Sequence, residues 1–155
     1  MTASNSYFSD SQLELVRAVL DRIVPPEADM PGAGEAALEY VDRAVGSRGD
    51  YRRLWGDGLA RIEIAAWSRH KTRFIDLSRD EQEGVLTLVD AGEPHFFQSL
   101  VREAYAGYYS NPRVVALLGL EARPPQPGGH HVEQGSFDGL EKVRRRGTVW
   151  RAAGE

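Results

Sequence analysis

Apolar residues recur along most of this chain at intervals of three and four, the spacing that gathers them on one face of an α-helix. Leu13, Val16, Val19, Leu20, Ile23 and Val24 form the first stripe, with Ser9 or Ser11 placed to cap its start. Pro25-Pro26 end it, because proline has no amide to donate within a helix. A loop over residues 25–34 follows, with Pro31-Gly32 as its tightest turn signal. Ala37, Tyr40, Val41, Ala44 and Val45 predict a second helix ending near Gly46 or Gly49. Tyr51, Leu54, Trp55, Leu59, Ile62, Ala65 and Ala66 predict a long third helix that tolerates Gly56 and Gly58.

Ser78 followed three residues on by Glu81 reads as a capping box opening a fourth helix, whose stripe is Val85, Leu86, Leu88 and Val89 and whose end is Gly92. The fifth has the most regular pattern. Phe96, Phe97, Leu100, Val101, Ala104, Tyr105, Tyr108 and Tyr109 form two parallel i, i+4 rows, which predicts core packing for the whole set. At its end, one of Tyr108 and Tyr109 is expected to pack in the core and the other to order the turn at Asn111-Pro112. Val114 to Leu118 adds a short sixth helix, and no alternating strand pattern competes with these elements. The expected fold is all-α, a compact bundle of five to six helices over residues 1–121.

The last 34 residues, Ala122 to Glu155, break the pattern. They begin Arg123-Pro124-Pro125-Gln126-Pro127, which favours extended backbone, and end with Arg144-Arg145-Arg146 and Val149-Trp150-Arg151. Phe137, Leu140, Val143, Val149 and Trp150 are spaced through a segment too short to enclose them. Such anchors need another surface, so an extended docking tail over residues 122–155 is expected. Its candidate partner-binding residues are Arg123, His130, His131, Phe137, Arg144, Arg145, Arg146, Trp150 and Arg151.

Charge divides the chain in the same place. Residues 1–121 carry 13 Lys and Arg against 19 Asp and Glu, a net of −6, whereas the tail carries six against four, a net of +2. An acidic body repels phosphate backbones, so no nucleic-acid partner is expected. Cysteine is absent, which removes disulfides and thiolate metal sites. His70 and His95 lack a second ligand one helical turn away, and the adjacent His130 and His131 point apart in extended chain. Neither a nucleophile elbow nor a strand-linked glycine fingerprint is present. The residues thus nominate no catalytic, cofactor or metal site. With neither a basic, apolar leader nor a membrane span in the sequence as given, the expected location is cytoplasmic, or periplasmic if a signal has been removed.

Three segments resemble the gluconate 2-dehydrogenase subunit 3 family. The first holds Ile23-Val24-Pro25, Pro31-Gly32-Ala33 and Tyr40-Val41-Asp42; the second is Phe74-Ile75-Asp76-Leu77-Ser78 with Gln82. The third runs from Phe96-Phe97 to Gly107-Tyr108-Tyr109-Ser110-Asn111-Pro112. The likeness spans about Gln12 to Leu118, and the end of the fifth helix is its most specific part. It implies a small, cofactor-free, non-catalytic subunit that binds and stabilises a large FAD-dependent oxidoreductase of the glucose–methanol–choline type, which oxidises a sugar, sugar acid or glycoside. Exported members carry a twin-arginine signal and escort their partner, whereas no such pair lies near this start. Two rival readings are a stand-alone small helical enzyme using His130 and His131, and an adaptor whose tail docks on its own body.

Overall fold

A computed structural model describes residues 6–120 and 140–147. The chain divides into two units, Met1–Ala122 and Arg123–Glu155. Within the described residues of the first unit the architecture is all-α.

Helix α1 (Asp10–Ile23) starts at Ser9, which with Gln12 completes a reciprocal capping box, and buries Leu15, Val16, Val19 and Leu20. The segment before it is tied down from a distance. The Asp42 carboxylate accepts the amides of Tyr7 at 3.0 Å and Phe8 at 2.8 Å, which seats the Phe8 ring in the core.

The loop after α1 differs from the expected one. Its tight turn lies at Glu27–Met30, where the two end residues exchange backbone hydrogen bonds of 3.0 and 3.1 Å. Pro31-Gly32 instead leads into a single-turn helix, α2 (Ala33–Ala36), which a pattern search cannot see because four residues show no period. Helix α3 (Leu38–Gly46) follows directly.

Helix α4 (Gly49–His70) runs 22 residues and buries Tyr51, Trp55, Leu59, Ile62 and Ala66. It closes on Lys71 in the left-handed conformation, whose amide bonds the Trp67 carbonyl. A 3-10 turn (Phe74–Asp76) leads to α5 (Arg79–Gly92), α6 (Pro94–Ser110) and α7 (Pro112–Leu117). Pro94 and Pro112 sit in first helical turns, where the missing amide costs nothing.

The centre of the bundle is Trp55. Its indole meets Phe96 edge to face at 5.7 Å and donates a 3.0 Å hydrogen bond to Ser99 Oγ, so the one polar atom of the largest core side chain is paired. Gly58 permits this crossing, since a Cβ there would overlap the Phe96 ring. No helix among the described residues is long and apolar enough to cross a membrane.

Candidate partner-binding site

Three of the nine tail residues singled out above lie within the described structure. Arg144 and Arg145 sit on a one-turn helix, α8 (Glu141–Arg145), and Arg146 follows it. This turn departs locally from the expected extended backbone. Glu141 and Arg145 stand four residues apart and pair at 3.5 Å, while Gly147 stops the turn with φ +65°. The remaining six, Arg123, His130, His131, Phe137, Trp150 and Arg151, lie outside the described residues.

In the helical body, residues in and beside the three resembling segments fasten loops to helices. Asp21 Oδ1 accepts the Gly34 amide at 2.8 Å, placing a carboxylate at the start of α2. A Cβ at Gly34 would stand 2.6 Å from the Arg17 carbonyl oxygen, so only glycine lets the loop come this close. Tyr108 is buried and donates its hydroxyl to the Pro31 carbonyl at 3.0 Å. Burial pushes its phenol pKa up, with smaller contributions from Tyr109 and Glu27. Asn111 caps α7 through the Arg113 amide and reaches back with Nδ2 to the Ala36 carbonyl at 2.9 Å. Gln82, buried on α5, donates to the Phe74 carbonyl at 3.0 Å. Each contact satisfies a backbone group, and those made by Tyr108 and Gln82 are buried, where an unpaired carbonyl is costly.

Tyr109 has no such task. One ring of the tyrosine pair is in the core, as expected, but that same ring also orders the neighbouring loop. Tyr109 is 56% exposed and stacks on Tyr105, ring centres 6.1 Å apart. The two rows of α6 therefore part company. Phe96, Leu100, Ala104 and Tyr108 are buried; Phe97 and Val101 are half-buried; Tyr105 and Tyr109 face water. An i, i+4 row winds about 40° around the helix at each step, so the second row starts at the flank of the interface and leaves it.

Beside these rings lies a charged cluster that no motif announced. Glu103 is only 3% exposed. Its Oε1 accepts the Tyr51 hydroxyl at 3.0 Å and Arg102 Nε at 3.3 Å, with Arg48 Nη1 at 3.9 Å. The Arg48 guanidinium lies 4.2 Å from the centre of the Tyr51 ring. The sequence signal was present in the charge at position 103, which falls among apolar positions of α6. A second uncovered surface lies between α4 and α5, where Ile64 and Leu88 line a shallow groove of about 220 Å³ and Trp67 stands one turn further on, 59% exposed.

Among the described residues no three His, Asp or Glu side chains gather as a metal-binding group. No curated protein and no solved structure matches the chain. The sequence pattern of one family, described as gluconate 2-dehydrogenase subunit 3, matches residues 10–120. That stretch holds the seven helices α1 to α7 described for the body and the Asp21, Gln82, Tyr108 and Asn111 fastenings, and the chain belongs to the gluconate 2-dehydrogenase subunit 3 family.

Proposed function

We propose that this chain is the non-catalytic small subunit of a dehydrogenase complex, binding and stabilising a large FAD-dependent oxidoreductase that oxidises a sugar or glycoside. The observation that carries this reading is the family match over residues 10–120, a family defined as a subunit and so implying a larger catalytic partner. The use of the described polar groups supports it: Asp21, Asp42, Gln82 and Asn111 are spent on loop backbone, and Glu103 on arginines and a phenol. The body in this view is a rigid presenter of surface. FAD and the hydride transfer belong to the partner, and the tail arginines add a second contact with it.

The test is isolation of the tagged full-length chain from its native host, followed by a visible spectrum and a sugar-oxidation assay with a dye acceptor. A stoichiometric flavoprotein that loses FAD or melts earlier once this chain is removed is the expected result. Turnover by the isolated chain, or a complex without flavin, would overturn the reading.

A further inference from the structure

We infer that the outer face of α6, together with Arg48, is the surface on which the catalytic subunit docks, and that it receives an acidic patch of that subunit. This rests on the accessory-subunit reading and adds to it a location and a charge.

His95, Gln98, Arg102, Tyr105 and Tyr109 share one side of α6, and all five are exposed. The helix is 17 residues long, so this side extends about 25 Å. Its one acidic residue, Glu103, is turned inward. In a body of net charge −6, an exposed patch on which Arg102 of α6 and the neighbouring Arg48 share a single, inward-turned carboxylate keeps an excess of positive charge and is complementary to negative charge. Arginine and tyrosine are also the side chains that carry binding energy at protein interfaces.

The arginines are held ready. Burying a carboxylate costs free energy unless it is well paired. Here the Glu103 carboxylate, itself fixed by the Tyr51 hydroxyl, draws Arg102 and Arg48 to one point, with Arg48 lying over the Tyr51 ring. Glu103 acts as a positioning residue, and ordering the arginines beforehand lowers the entropy lost on docking. The groove between α4 and α5 is apolar, with salt-bridged Arg61 and Glu93 at its rim, and shows no such selectivity of sign.

The full-length chain is titrated with the flavoprotein isolated alongside it, at about 50 and about 300 mM NaCl. Gln98 makes no intramolecular contact that the fold requires, so Gln98→Glu and Gln98→Lys test charge without disturbing the bundle. The glutamate should weaken binding about tenfold and the lysine should leave it equal or tighter. Tyr105→Ala with Tyr109→Ala should weaken it about thirtyfold or more. High salt should weaken the wild type more than Gln98→Glu. Equal binding by both Gln98 variants, or loss only on Trp67→Ala, overturns the surface and leaves the accessory role standing. A self-associating chain whose dimer is broken by Gln98→Glu would assign the face to a second copy and overturn the proposal. If no flavoprotein accompanies the chain, both readings fall.

Discussion

Helix α6 offers two sides built from the same kinds of residue for opposite ends. Inward, Tyr108 donates to Pro31, Ser99 accepts from the Trp55 indole, and Gly107 lets α3 approach so closely that a Cβ would stand 3.0 Å from the Tyr40 ring. Outward, Tyr105 and Tyr109 stack on each other and Arg102 lies in water beside them. A tyrosine on the inner side is worth its burial plus a hydrogen bond to an otherwise unsatisfied carbonyl. One residue further on, the same side chain adds almost nothing to the folded state. Position around the helix decides the role, and residue type does not.

Substitution at Tyr108 should break the inner side most severely. Tyr108→Ala is expected to cost about 3 kcal/mol or more, from lost burial and the cavity left behind. Tyr108→Phe keeps the ring and should cost about 1–2 kcal/mol, the penalty of an unpaired Pro31 carbonyl. Urea unfolding followed by circular dichroism measures both. A neutral Tyr108→Phe would mean that water reaches this carbonyl.

The crossing of α4 with α6 allows a second test, through two glycines of one helix. Gly58→Ala would drive a methyl group into the Phe96 ring and should destabilise by about 1–3 kcal/mol. Gly56 faces open space, so Gly56→Ala should stabilise by about 0.5–1 kcal/mol through helix propensity alone. Opposite signs in the two thermal melts are the expected outcome. The same sign for both would show that the helix crossing does not depend on a bare backbone at Gly58.

These inner contacts were only partly legible in the sequence. Helices with sustained periodicity were found, and local chemistry pointed to their starts: Ser9 is one of the two serines expected to cap α1, Ser78 with Glu81 opens α5 as expected, and α7 begins at Pro112, two residues before the expected Val114. The family likeness was legible too, carried by segments that prove to be loop fastenings. What the pattern hid was direction. Tyr105 and Tyr109 obey the same i, i+4 rule as Leu100 and Ala104, but which of two adjacent rows meets a neighbour is set by where α3 and α5 pack. The Glu103 cluster escaped for a related reason: Arg48 and Tyr51 meet Arg102 and Glu103 only through tertiary packing, at separations of up to 55 positions. The one-turn helices α2 and α8 were too short to leave a periodic signal.

Acid should act on the cap of α5, where the acceptor is the Glu81 carboxylate. Glu81 accepts Ser78 Oγ at 2.7 Å and the Ser78 amide at 2.9 Å, and faces His70 Nδ1 at 3.3 Å. The Ser78 hydrogen bonds, aided by His70, hold its carboxyl below the usual carboxylate range. A carboxyl lowered by folding contributes stability above its unfolded pKa and loses it as pH falls through the folded value. Glu81→Gln should therefore flatten the acid limb of a melting-temperature profile and converge with the wild type once both carry a neutral side chain. Parallel curves down to about pH 3 would show that the cap does not depend on charge.

The smallest expected effect on stability is also the sharpest on the comparison. Tyr109→Ala removes an exposed ring whose neighbours within the fold are Tyr105 and the edge of Tyr108. Surface truncations of this kind stay within about 0.5 kcal/mol, so its unfolding curve should nearly overlay that of the wild type. Tyr108→Ala, one position earlier, should be the most damaging of the substitutions considered. If Tyr109→Ala unfolds as readily as Tyr108→Ala, the second ring is a support for the first, held edge-on at 5.3 Å, and the outer face of α6 is an extension of the core. If it keeps its stability and loses its partner, the two tyrosines divide folding and recognition between them across a single peptide bond.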